Sequence, residues 1–528
     1  MSPERPALTV VRISLILGLL FLFCVACFRT SAQDAPEPTR VERVIKDSGK
    51  LPWQWNATDV AVSRSGRHFV YPRRGDARFV WLDGVKSREY DALLKHPRFS
   101  PDGTHVAWVA EVDGRRFVIL DGKEGARYDR ITDDEYLRFY PVFSRDSQHL
   151  AYYARIGDKW VCVLDGKEGP KYDLVQQVKF SRDSQHLAYV AGRAGREFVV
   201  FDGKEGPPYD EVCIYDIAAD GSRLAYVGYR GKKKLVVCDG RESGPYDAIG
   251  RMKFSPDGRR LAYQAERGKK SFIVVDGKEG PAYDRVVYVE FSPDSRHLAY
   301  TASRQDKGLV GLGGLVVLDG QEQPWPGTWP HFSPDSKLVY ATRHKDTKSW
   351  SYVYDGKLWP CGTSPERFSQ ALPIRFTPDG RHFAYYAYEK DKGMWIVRDG
   401  KPGNVFHRVY YPPRWSPDGK HLFYGARRNG GPHHVVCDDL INAVGRSAYW
   451  ATFSEDSRHF AYRIREKDKG DRVVCDGVKG PAHHEIRGLR AVDGKLRYVT
   501  YEKDRVRIVE VDWPPGRTWR DGFKPMDD

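Results

Sequence analysis

Apolar and polar positions alternate in short runs along most of this chain, and the same succession of runs returns about every 40 residues. The stretch 178–212 shows one copy. Val178-Lys179-Phe180-Ser181 alternates, as a half-buried strand does. Arg182-Asp183-Ser184 is a turn, written Pro-Asp-Gly in other copies, where Pro presets one backbone angle and Gly permits positive φ. Residues 187–191 read as a second strand and Phe198-Val199-Val200-Phe201 as a third, apolar on both faces. Asp202-Gly203 is a hairpin turn signal, and Pro208-Tyr209-Asp210-Glu211-Val212 reads as a fourth, more polar strand. The second-strand core ends in an aromatic residue in all twelve copies, from Phe69-Val70-Tyr71 through Leu187-Ala188-Tyr189 to Leu496-Arg497-Tyr498.

A strand that is apolar on both faces is buried on both sides, which fits a sheet packed between two neighbouring sheets. No stretch sustains a 3.6-residue period, so a helical solenoid is excluded. These features predict an all-β chain, a β-propeller of twelve four-stranded units. Such rings usually have four to eight blades, so two six-bladed rings are expected. A Tyr-Asp pair closes six successive units, from Tyr90-Asp91 to Tyr283-Asp284, and is absent afterwards. The expected layout is a signal at 1–33, a linker at 34–57, one propeller at 58–289, a second at 290–513 and a tail at 514–528. The last unit lacks an evident fourth strand, and residues 40–45 are a candidate to supply it, which would hide an open edge.

Phe254-Ser255-Pro256-Asp257-Gly258-Arg259-Arg260-Leu261-Ala262-Tyr263 resembles the WD40-like repeat of the TolB type, and the likeness extends over residues 58–512. The resemblance implies the fold. It does not carry TolB's envelope partners over, because no separate α/β stretch precedes the repeats here and because propellers host enzymes, scaffolds and receptors alike.

Residues 1–33 read as a secretory signal: Arg5 and Arg12 precede an apolar run from 13 to 27, short for a membrane span, and Thr30-Ser31-Ala32 offers a cleavage site. Export to the periplasm or the exterior follows, with no membrane domain beyond an N-terminal anchor if the segment is retained. Of the cysteines beyond it, Cys162, Cys238, Cys437 and Cys475 stand where other units have Leu, Phe or Val, as small buried hydrophobes do.

The formal charge is +14. It gathers in the turns between second and third strands, at Arg115, Arg116, Lys232, Lys233, Lys234, Lys269, Lys270, Lys390 and Lys392. A propeller brings these turns to one face with the expanded loops 132–140 and 363–372. That arrangement predicts an electropositive binding face for a protein or an anionic envelope polymer. Without a recognition helix or an RNA-binding motif, nucleic acid is not expected.

Catalytic signatures are missing. There is no Gly-x-Ser-x-Gly elbow, His-Glu-x-x-His, P-loop or calcium loop, and no metal or other cofactor is expected. His68, His105, His149, His186, His297, His382, His421 and His459 precede the second-strand core, and such repetition suits a structural bond to the nearby turn Asp. Asp133-Asp134-Glu135 is a solvated acidic loop. Trp325, Trp329, Trp350 and Trp359 are candidates for a sugar platform, with packing as their ordinary role. The expected function is an exported, non-catalytic scaffold. A lyase- or lactonase-type propeller enzyme and a polysaccharide-binding module are the alternatives.

Overall fold

In a computed structural model the described residues are 42–48 and 60–525, apart from 74–77, 95, 132–140, 305–313, 345, 348, 363–373, 411–412, 439, 444–446, 467–468 and 503–504. The signal segment, Asp133-Asp134-Glu135 and the loop 363–372 lie outside them. Among the described residues the chain forms antiparallel sheets in sequence order, eleven in all, one of which carries two successive units joined through Gly362 and Tyr388.

Unit four shows how the pattern becomes structure. Its strands are Leu174–Phe180, Leu187–Arg193, Arg196–Phe201 and Lys204–Glu205, hydrogen-bonded in that order. Phe198, Val199 and Val200 are all buried. Alternation along the strand sends Phe198 and Val200 into the cluster shared with unit three, and Val199 into the cluster shared with unit five. Doubly apolar third strands are therefore the glue between sheets. Asp202 and Gly203 both have positive φ, 47° and 77°, the type I′ geometry that matches the twist of a tight hairpin.

The fourth strand differs from the sequence expectation. Lys204–Glu205 pairs with the third strand immediately after the turn, and Tyr209 rejoins it through a single bridge to Glu197. Pro207 and Pro208 have no N–H to donate, so the ladder breaks between them. Glu211 and Val212 belong instead to the first strand of unit five, Glu211–Ile217, where they face Tyr229 and Gly228.

In the last unit, the strand Glu42–Asp47 pairs antiparallel with Val506–Val511 and supplies the missing edge. Phe69 and Tyr71 of unit one share a core with Val499, Tyr501, Val506 and Ile508 of unit twelve. Arg67 meets Asp493 at 2.5 Å, and the Arg490 guanidinium donates to the Ser63 carbonyl at 2.9 Å. The expected boundary at 289/290 falls inside the first strand of unit seven, Arg285–Phe291, whose residues pack with Ala262 and Ile273 of unit six. The tail after residue 513 crosses unit eleven, buries Trp519, and pairs Lys524–Pro525 with Leu440 and Ile441 of unit ten.

Candidate functional site

The Tyr-Asp pairs clasp one unit to the next. Tyr172, Tyr209 and Tyr283 are buried edge-on against Tyr189, Tyr226 and Tyr300 of the following unit. The Tyr209 hydroxyl donates to Glu242 at 2.8 Å, and Glu242 is held by Arg230, whose guanidinium lies 5.5 Å above the Tyr209 ring. The same set recurs as Tyr172, Glu205 and Arg193. The neighbouring aspartate also bridges units. Asp210 accepts from Arg196 of its own unit at 2.8 Å and from the Gly231 N–H of the next at 2.7 Å.

Five of the nine residues expected to form the basic face are paired with acids, three of them with clasp aspartates. Arg115, Lys233 and Lys270 pair with Asp129, Asp247 and Asp284, Arg116 with Glu111 at 2.9 Å, and Lys392 with Glu389 at 2.6 Å. The Lys234 ammonium lies 5.5 Å above the Tyr229 ring. Lys232, Lys269 and Lys390 are exposed and make no ion pair among the described residues. Surface pairs of this kind contribute little stability, but they lower the field the face can project.

Each of the eight recurring histidines hydrogen-bonds a carboxylate through Nδ1. The partner is the aspartate that opens the hairpin after the third strand, Asp-Gly in seven cases and Asp438-Asp439 in unit ten, not the turn aspartate beside it. His186 meets Asp202 at 2.6 Å and His459 meets Asp476 at 2.6 Å. The second carboxylate oxygen accepts a backbone N–H, such as that of Leu187 at 3.0 Å. The turn aspartates are held by serines instead, as Asp257 is by Ser255 at 2.6 Å, and this pulls the Asp257 pKa down.

The first strands of units four to seven run side by side and bound a cleft of about 610 Å³. Lys179, Asp216, Lys253 and Glu290 occupy equivalent places along it, so its wall alternates in charge. Lys179 Nζ donates to the Tyr215 carbonyl at 2.7 Å, and Asp216 accepts the Phe254 N–H at 3.2 Å. Lys253 and Glu290 make no hydrogen bond or ion pair among the described residues. Each first strand loses register with its second strand in mid-course, and Gln177, Tyr288 and, in unit eight, Trp329 sit there with φ of 54°, 59° and 52°. For bulky residues such values are strained by about 1–3 kcal/mol each, and bulges of this kind re-aim side chains. Arg251 lies 5.5 Å above the Tyr288 ring. Beyond Glu290, His331 is held by the Trp329 carbonyl at 3.3 Å, its Nε2 is buried without a partner, and burial lowers its pKa.

Four-stranded sheets packed face to face in sequence order, first strands innermost and the last unit closed onto the first, leave one assignment. The fold is a β-propeller. No family profile and no curated protein matches the chain. Among solved structures, TolB from Acinetobacter baumannii is similar at 15% identity over 42% of this chain and 61% of its own, with a TM-score of 0.23. This chain thus spans less than two thirds of that protein. The β-propeller domain of the Trilobed protease from Pyrococcus furiosus, described as having an open velcro topology, shows 14% identity over 48% of this chain and 92% of its own, with a TM-score of 0.23. A putative TolB from Agrobacterium tumefaciens shows 16% identity over 36% and 82%, with a TM-score of 0.20. The assignment rests on the sheets and their closure.

The propeller divides the four tryptophans. Trp325 packs beside Tyr340, and Trp350 and Trp359 pack in the core between units eight and nine. Trp329 alone of the four stands on an innermost strand. Among the described residues no group of three or more His, Cys, Asp or Glu is placed to hold a metal, and no helix is long and apolar enough to cross a membrane. Cys162, Cys213, Cys238, Cys361, Cys437 and Cys475 are free thiols, and burial pushes Cys162 up to about 12. The cleft escaped sequence reading because single charges on short strands look like solvated positions. The recurrence of Lys179, Asp216, Lys253 and Glu290 at one place in four units was the available signal.

Proposed function

We propose that this chain is an exported, non-catalytic β-propeller that binds a segment of another envelope protein at the cleft of units four to seven. The observation that carries the reading is a pair of opposite charges, Lys253 and Glu290, with no side-chain partner among the described residues, on a row of first strands that continues through strained bulges at Tyr288 and Trp329. Strain persists where the surroundings over-determine it, commonly at ligand sites. Alternating charge favours an extended chain that presents the opposite order, and aromatic side chains give it apolar footing. An enzymatic reading needs converging acids, bases or ligands, and this wall supplies single charges one unit apart. Periplasmic or extracellular placement follows from the segment 1–33.

The test is a photo-reactive residue placed at position 253 in cells that make the protein. One crosslinked protein partner is expected. It should disappear when Glu290 is changed to Lys and persist when Lys232 and Lys269 are changed to Gln. Crosslinks arising only from positions 232 and 269 would move the binding face to the hairpins and overturn the cleft.

A further inference from the structure

Unpaired positive charge recurs in register along the outer rim of this propeller. The first residue after the Asp-Gly turn, at the start of the outermost strand, is Lys123, Lys167, Lys204, Arg241 and Lys278 in units two to six. All five are exposed, and none of their side chains makes a hydrogen bond or ion pair among the described residues. In sequence each looks neutralised, because acidic residues flank it.

The structure directs those acids elsewhere. Asp202 is turned inward to His186 and the Leu187 N–H, and Asp239 to Arg223 at 2.7 Å. On the other side, Glu205, Glu242 and Glu279 are forked onto Arg193, Arg230 and Arg267. At the opposite end of the third strand one hairpin cation per unit is paired with an aspartate, as Lys159 is with Asp173 at 2.6 Å, while Lys232, Lys269 and Lys390 stand unpaired on that separate edge. At the first position of the outermost strand, one unpaired cation per unit thus recurs in five consecutive units. The row ends at Val85 in unit one and Gln321 in unit seven.

We propose that this strip docks a linear anionic polysaccharide bearing spaced carboxylates. One cation per unit is a low density of charge, suited to a polymer whose charges are separated by uncharged sugar, whereas polyphosphate presents charge at every link. Four of the five cations are lysines, point charges without the planar fork that selects bidentate partners. The outermost strands of these units expose no aromatic ring, so they offer no platform for stacking bases. A single exposed ion pair contributes little, so the strip holds a short oligomer weakly. On one long chain the contacts combine through effective concentration, and the binding weakens with salt. This surface is separate from the cleft and does not depend on it.

The experiment uses the full mature chain and high-mass hyaluronan, which carries one carboxylate per disaccharide, on a biosensor. A hyaluronan tetrasaccharide, neutral dextran and long-chain polyphosphate are the comparison arms. Long hyaluronan should bind best. The variant K123Q/K167Q/K204Q/R241Q/K278Q should lose about tenfold or more in affinity, with an unchanged circular dichroism spectrum. Replacing the four lysines by Arg should preserve binding, as should K232Q/K269Q/K390Q. Undiminished binding by the rim variant, loss through the hairpin variant, or no binding of hyaluronan by the parent protein would each overturn the proposal. Binding of polyphosphate in place of hyaluronan would overturn the polymer class.

Discussion

The repeated histidine–aspartate bond is one chemical motif in many degrees of dryness, and its energetic weight should follow. The Asp476 side chain is fully buried beneath His459. Burial pushes its pKa up, while the Phe460 N–H and His459 hold it down. Changing His459 to Ala removes a hydrogen bond to a dry carboxylate and should cost about 1.5–3 kcal/mol. His382 and Asp399 are 49% and 33% exposed, and His382→Ala should cost about 1 kcal/mol or less. Urea midpoints measure both; equal losses would refute the burial argument. A second titrating site closes the ring. His483 takes the place that Phe406 and the clasp tyrosines hold elsewhere, and its ring nitrogens meet Glu42 at 3.2 Å and Glu502 at 3.3 Å. The Tyr498 hydroxyl also reaches Glu42, so the closing strand supplies a carboxylate of the kind that Glu205 and Glu242 supply in units four and five. Burial alone would lower the His483 pKa, but the bonds and charges of Glu42 and Glu502 outweigh it and raise it above 6.5. The folded state thus holds this proton more tightly than the unfolded chain does. The resulting stability is complete below the unfolded value and is lost as pH rises through the folded one. Melting temperature should therefore fall as pH rises above 6.5, and His483→Phe should flatten that slope.

Strands differ in how plainly the chain announces them. Third strands were legible because being buried on both sides demands unbroken apolar runs such as Phe198-Val199-Val200. Edge strands were not. Glu211 and Val212 follow Tyr209 so closely that alternation joins them to it, although hydrogen bonding places them in the next sheet. The basic turns were legible as charge but not as ion pairs, because Arg196 and Asp210 of one unit meet only when Tyr209 bridges back to Glu197 on the third strand. The tail was the least legible element. Lys524–Pro525 has no pattern of its own, yet it covers the outer edge of unit ten. Trp519, 4% exposed, seats it against Phe523 and edge-on to His421 at 4.7 Å. Gly477, with φ of 81°, lets the Gly522 backbone pass so closely that a Cβ would stand 2.6 Å from its Cα. Trp519→Ala should therefore cost about 3–5 kcal/mol. Hydrogen exchange should then rise at Leu440 and Ile441 while unit four is unchanged. A uniform rise throughout the chain would show that the tail is not a local strap.

At the scale of the molecule, stability depends on how contacts are chained. In repeat proteins each unit leans only on its neighbours, so any gap in the series sets the limits of cooperative unfolding. Here an apolar cluster joins unit six to unit seven across the expected boundary, and another joins unit twelve to unit one. Two independent rings would need unit six to lean on unit one, and no core cluster among the described residues joins them. Continuous packing of this kind predicts one calorimetric transition for the whole chain, and a fragment 58–289 that fails to fold alone. Two separable transitions, with a folded 58–289 fragment, would instead establish a division near 290. The closing strand supplies the sharper test. Removing residues 42–48 strips Val506–Val511 of its partner and leaves His483 without Glu42. If the circuit is continuous, that loss should lower the melting temperature of the entire chain and expose a sheet edge to association. Opening confined to unit twelve, with the main transition unmoved, would show that the closure is local.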